Sequence, residues 1–212
     1  MSDLESSDLV IGSDGRRRCP WGVGPADYLG YHDDEWGRPV VDDVRLYEKL
    51  CLEGFQSGLA WITILRKRNN FRRAFAGFDP AVVARFGADD VERLLNDTGI
   101  VRHRGKIEAT INNARATLEV QNRHGSLAAL VWSFAPPTSA HPPPAQLADV
   151  PASSPASSAF AKALKGEGFR FIGPTTAYAA MQSLGLVNDH LDGCWVREAC
   201  GADRDAATIP GA

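Results

Sequence analysis

Two His/Cys pairs stand near opposite ends of the chain. Cys19 and His32 are separated by twelve residues, and His190 and Cys194 stand at i, i+4. Two imidazoles and two thiolates suit a tetrahedral zinc ion, and four protein ligands leave no position for water, so such a metal would be structural. It would tie the first segment to the last, although spacing alone leaves two unrelated pairs just as open. Between them, Leu52-Glu53-Gly54-Phe55-Gln56-Ser57-Gly58-Leu59-Ala60-Trp61 offers one carboxylate ahead of a glycine turn. Trp21, Tyr31, Trp36 and Trp61 bracket these short polar motifs. Faces of Trp and Tyr attract a cation by about 0.5–2 kcal/mol per contact, and a carboxylate adds charge attraction. The chemistry permitted is recognition of a flat, positively charged ring. A surface acid and purely core aromatics are the plainer alternative.

A second constellation is basic: Arg66, Lys67, Arg68, Arg72 and Arg73, then Arg102, Arg104, Lys106 and Arg115. Around residues 90–118 the pattern is two helices joined by a short turn, with Gly105 near the start of the second. Amides at a helix N-terminus bind phosphate, and a glycine there permits close backbone approach. Such a grip holds nucleic acid without reading its sequence. An ordinary αα-hairpin with a solvated basic face gives the same pattern.

The elements that must position these residues follow the helical period, and strand-like alternation is nearly absent. Pro25 opens a short helix through Tyr31 and His32. Asp42 or Asp43 caps the next, which Gly58 ends, and a third runs from about Ile62 to Ala76. Asp79-Pro80 is a start signal. Further helices are expected from Asp89-Asp90 through Leu95, over Ile107 to Leu118, from Ser126 to Phe134, from Ala159 to Leu164 and from Thr175 to Leu184. Residues 135–156 are rich in Pro and Ser and read as an irregular surface excursion. The class is all-α.

At 44% hydrophobic and 23% charged over 212 residues, the chain can bury a full core as one soluble domain. A net charge of −3 excludes coating of nucleic acid by bulk charge. No run of eighteen apolar residues and no signal-type segment is present, so a cytoplasmic protein without membrane association is expected. In a reducing compartment, Cys beside His points to metal rather than disulfides. Cys51, on an apolar stretch, reads as core.

The runs Cys19-Pro20-Trp21, Tyr31-His32-Asp33-Asp34-Glu35-Trp36-Gly37, Cys51-Leu52-Glu53-Gly54, Ser57-Gly58-Leu59-Ala60-Trp61, Gly99-Ile100-Val101-Arg102-His103-Arg104-Gly105-Lys106-Ile107 and Gly185-Leu186-Val187-Asn188-Asp189-His190 occur in this order. In them the chain resembles the 3-methyladenine DNA glycosylase I family of the helix-hairpin-helix superfamily. The resemblance covers about residues 19–195. It implies an all-α, helix-hairpin-helix glycosylase-like domain whose zinc-binding ends are 19–32 and 190–194, with one structural zinc on Cys19, His32, His190 and Cys194. It further implies Glu53 as the acid contacting a flipped base, Trp21, Tyr31 and Trp61 as pocket walls, and Gly58-Leu59 as the loop entering the duplex. Arg102, Arg104, Gly105 and Lys106 would contact the DNA backbone. The implied activity is monofunctional excision of 3-methyladenine from double-stranded DNA containing alkylated adenine, by a monomer. Departures from the family are Phe55, where a polar residue is familiar near the pocket mouth, an extension over residues 1–18 and a tail over 196–212; both end segments are expected to be unstructured. The stretch after the hairpin, where superfamily members carry a catalytic aspartate, holds Asp149 as its sole acid.

Overall fold

The computed structural model describes residues 8–209. A two-stranded hairpin, β1 (Val10–Ile11) with β2 (Arg17–Arg18), precedes ten α-helices among the described residues: α1 (Ala26–Asp34), α2 (Asp43–Gln56), α3 (Trp61–Ala74), α4 (Pro80–Val83), α5 (Ala88–Asn96), α6 (Arg104–His124), α7 (Leu127–Trp132), α8 (Pro155–Gly166), α9 (Pro174–Ser183) and α10 (Arg197–Ala206). Several starts obey the capping logic of the sequence. The Asp42 carboxylate accepts from the Arg45 amide at 2.9 Å, Asp79 from Ala81 at 2.8 Å with Pro80 at the first position, and Ser126 Oγ from Ala129 at 2.9 Å. Each satisfies an amide that has no partner inside its helix. Asp43, the other candidate cap for α2, accepts instead from the Leu127 and Ala128 amides at 2.9 Å, capping α7 from a neighbouring helix.

Helix α2 is the axis of the molecule, with α3, α6, α7 and α9 packed around it. Leu46, Tyr47, Leu50, Cys51, Leu52 and Phe55 are buried there. A helix covered on all sides also buries its polar positions, and Glu48, Lys49 and Glu53 are buried with the rest. Phe55 turns into the core, its ring 4.6 Å from Phe71 and 6.0 Å from Phe75 between centroids, so the family departure at this position does not reach the cavity described below.

Both ends are more ordered than the sequence suggests. Residues 8–18 form the β1–β2 hairpin, and Arg18 is buried because its guanidinium spans Asp14 and Asp33 at 2.7–3.1 Å. Residues 197–206 form α10, whose one buried residue is Cys200. A helix held by one buried thiol and by polar contacts, such as Arg197 on the Asn188 carbonyl and Asp203 on Arg38, leaves no apolar period to read. Residues 1–7 and 210–212 lie outside the described residues. No helix among the described residues is long and apolar enough to cross a membrane.

Candidate active site and metal centre

Helices α1, α2 and α9, the start of α3 and the excursion after α7 enclose a cavity of about 400 Å³. Trp21, Tyr28, Tyr31, Trp36 and Trp61 line it, and Glu53 from the last turn of α2 stands among them. The rings form a continuous wall: Trp21 meets Trp36 at 4.8 Å and Tyr28 at 6.2 Å, and Tyr31 meets Trp61 at 5.3 Å between centroids. The Tyr28 hydroxyl accepts from the Ile62 amide at 3.1 Å. Because Ala60 cannot cap α3 with its side chain, this bond both satisfies a free amide and fixes Trp61 against α1. Glu53 is 5% exposed. Burial pushes its carboxyl up to about 7, against the opposing pull of Lys49 and a hydrogen bond from Ser183.

Sequence reasoning missed part of this wall. Tyr28 stands three residues before Tyr31, hence on the same helical face, a signal that was available. Asp189, Gln182, Leu147 and Val150 also line the cavity. Asp189 accepts from His141 Nε2 at 2.6 Å, Gln182 Nε2 at 2.7 Å and Tyr178 Oη at 2.8 Å. Burial alone would raise its carboxyl, but these donors hold it below the usual carboxylate range. Asp149, the acid singled out in the excursion, accepts from the Ala145 and Gln146 amides at 3.1 Å and does not line the cavity.

Directly behind the aromatics the four His and Cys residues converge. Their ligand atoms lie within 4.8 Å of one another and all four residues are buried, a group that can hold a metal ion. Cys194 Sγ is 3.5 Å from His32 Nε2 and 3.7 Å from His190 Nδ1, and Cys19 Sγ is 3.8 Å from His190 Nδ1. A zinc tetrahedron with bonds of about 2.3 Å to sulfur and 2.0–2.1 Å to nitrogen has sulfur–nitrogen edges of about 3.5–3.6 Å, so the donor set fits. The other ring nitrogens point outward to acceptors. His32 Nδ1 donates to Asp33 at 2.8 Å and His190 Nε2 to the Trp36 carbonyl at 3.0 Å, which turns a lone pair of each ring inward. Hydrogen bonding between the two sulfurs pushes the Cys19 thiol up and, with help from His190 and His32, pulls the Cys194 thiol down. A side chain at position 22 would place its Cβ 2.4 Å from the His32 ring, so Gly22 is required by the ligand's position. Trp21 packs on His32 at 5.1 Å and Trp36 on His190 at 4.7 Å, both edge to face. His32 and His190 therefore buttress the cavity wall.

The expected DNA-facing residues divide. Gly58 ends α2 at φ 82°, in the left-handed region that favours glycine, and presents Leu59 on the surface with 41% exposure, between the cavity residues Gln56 and Trp61. α5 and α6 pack together. Arg102 and Arg104 are exposed at their junction, Arg104 in an ion pair with Glu92 at 2.5 Å. Lys106 is turned inward instead: its Nζ donates to the carbonyls of Phe55 at 2.8 Å and Ser57 at 2.6 Å, capping the C-terminal end of α2. The reason is physical, since these carbonyls have no partner within α2 and sit at its negative pole. The α3 basic run is also occupied: Arg66 pairs with Asp27, Arg68 with Glu35 and Arg72 with Glu48, while Lys67 donates to the Thr98 and Gly99 carbonyls. Those charges staple α3 to its neighbours.

Comparison with known proteins matches this geometry to one family. The sequence profile of the methyladenine glycosylases covers residues 21–198. The chain is 49% identical over 177 residues to DNA-3-methyladenine glycosylase 1 of Escherichia coli (strain K12), covering 84% of this chain and 95% of that protein. A crystal structure of a 3-methyladenine DNA glycosylase I superposes with a TM-score of 0.81 at 51% identity, over 84% of this chain and 98% of the other. A variant of such an enzyme crystallised in complex with 3-methyladenine gives a TM-score of 0.78 at 34% identity, over 85% and 97%. With an aromatic cavity, a buried acid and a His/Cys centre built on the same fold, the chain belongs to the methyladenine glycosylase family.

Proposed function

We propose that the protein is a monofunctional DNA-3-methyladenine glycosylase that removes the alkylated base from double-stranded DNA as a monomer in the cytoplasm. The observation that carries this reading is a buried carboxyl in an aromatic cavity large enough for a purine. Methylation at N3 makes adenine a cation with a weakened glycosidic bond. The base leaves with the bond's electron pair as a neutral molecule, water adds to C1′, and a proton is released. Little acid catalysis is needed, so the protein's work is extrusion, recognition and orientation. Trp21, Tyr31 and Trp61 stack on the flipped ring, and ionised Glu53 accepts hydrogen bonds from it and complements its charge. Release without strand cleavage is supported by the lining, which holds no lysine among the described residues: Lys106 donates to backbone carbonyls, and Lys49 lies behind the Tyr31 ring. Incubation with methylated duplex should liberate 3-methyladenine and leave an uncleaved strand with an abasic site. A duplex that is bound but yields no free base would leave only a binding module.

The α5–α6 pair acts as a helix-hairpin-helix in this reading, with Arg102, Arg104 and Gly105 at the phosphates and Leu59 wedged into the stack. An exposed leucine on a glycine turn at the cavity rim supports that role. Leu59→Ala is expected to lower excision from duplex about tenfold, a loss near 1.4 kcal/mol out of the few needed for unstacking. Binding of free 3-methyladenine, read by quenching of tryptophan fluorescence, should be unchanged. Equal losses in both would make Leu59 a wall of the pocket instead. Cys19, His32, His190 and Cys194 would hold one zinc, which supplies no chemistry to the base and closes the fold.

A further inference from the structure

Behind the cavity, the buried charges of α1, α2 and α3 are mostly matched. Glu35 forms a two-pronged pair with Arg68 at 2.5 and 2.7 Å, and Glu48 accepts from Arg72 at 2.8 Å. Lys49 is buried among them, yet it is in no ion pair among the described residues. Its Nζ lies 5.5 Å from the centroid of the Tyr31 ring, a wall of the cavity. It also precedes Glu53 by one helical turn, which places the two side chains as neighbours on α2. A second buried cation beside a site for a cationic ring is unfavourable on its own. It becomes useful only through the carboxyl between them.

We propose that Lys49 is a positioning residue for base recognition: its ammonium keeps the Glu53 carboxyl ionised, so that the cationic purine meets an anion. The inference rests on Glu53 being the base contact. Burial drives the two groups in opposite senses, Glu53 up to about 7 and Lys49 down to about 8; Glu35 and then Glu53 offset part of the cost for Lys49, and Lys49 offsets part of the cost for Glu53. The other charges around Lys49 are Glu35 from the residue after α1, Arg45 and Glu48 from α2, and Arg68 and Arg72 from α3. Tyr31 faces it as a neutral phenol, its proton held by burial. Across the cavity, Asp189 is saturated by His141, Gln182 and Tyr178. None of these supplies Glu53 with the cation that Lys49 does.

The test is the pH dependence of 3-methyladenine release from methylated duplex by wild type, Lys49→Met and Lys49→Arg, together with a 13C NMR titration of the Glu53 carboxyl, identified by its loss in Glu53→Gln. Removing a neighbouring opposite charge should move the acid limb and the NMR midpoint of Lys49→Met upward by about one pH unit or more. Lys49→Arg should stay near wild type, and release by Lys49→Met should approach wild type at pH 9. An unmoved Glu53 midpoint in folded Lys49→Met would overturn the proposal. So would a wild-type titration in which Lys49 loses its proton before Glu53, a measurement that needs no variant to fold. A wild type that frees no base would sink the glycosylase reading instead, and the NMR midpoints, read without turnover, keep the two failures apart.

Discussion

Replacing Glu53 with alanine is expected to slow release of 3-methyladenine from methylated DNA about 100-fold, close to 2.7 kcal/mol of barrier. The carboxyl is fixed before the base arrives, on the last turn of a helix buried on every side, so its orientation costs nothing during reaction. Its charge acts in a cavity walled by aromatic rings rather than water, where an anion attracts a cationic purine more strongly than at the surface. Glu53→Gln separates charge from shape. In the folded protein the group holds its proton up to about 7, against 4.5 when unfolded. Between those pH values the folded state binds the extra proton, so stability is fully present below 4.5 and declines as pH rises to 7, by at most about 3 kcal/mol. Glutamine should flatten that part of the stability curve, read by thermal melts at pH 4.5 and 8, while still releasing base slowly. A variant that excises at the wild-type rate would remove Glu53 from the mechanism, whatever its melting temperature.

The residues with chemistry were far more legible in the sequence than their surroundings. Cys19, His32, His190 and Cys194 could be picked out by type as candidate ligands that the fold does bring together, and Glu53 by its isolation as the acid that the cavity does contain, because few other positions carry those groups. Helix starts at Asp42, Asp79 and Ser126 were readable because capping is local. What could not be read depends on tertiary placement. Lys106 and the α3 arginines look like a DNA-binding face in one dimension, yet folding aims them at carbonyls and carboxylates of neighbouring helices. Asp189 hides beside His190, and nothing local tells that donors from α9 and from the excursion after α7 will converge on it. α10 and the β1–β2 hairpin were missed because each is held by polar and thiol contacts scattered in the sequence, among them Cys200, Arg197 and Arg18, and not by an apolar period.

Removing zinc is expected to produce the largest loss of stability of any single perturbation. Structural zinc contributes on the order of 10 kcal/mol in small sites, and a loss of even ~5 kcal/mol would lower the melting temperature of a domain this size by about 10–20 °C. The ligand pairs are supplied by α1 with the segment before it and by the turn before α10, parts of the chain that meet in a second, smaller apolar cluster of Cys19, Leu191, Cys194, Val196 and Cys200. Metal analysis should find one zinc per chain, and chelation or Cys19→Ser should lower the melting temperature by that amount. Because Trp21 and Trp36 lean on the rings of His32 and His190, binding of free 3-methyladenine should weaken in step with the melt. A catalytic zinc would behave differently, with turnover lost while the melt and free-base binding stayed intact. A chain that melts unchanged after all metal has been removed would show that the four residues are packed together for reasons other than coordination. In that case the two ends would still be tied by Asp33, held by Arg18 at 2.8 Å and by the Trp195 indole at 3.2 Å, by the Arg38–Asp203 ion pair and by the Trp195 amide on the Arg17 carbonyl.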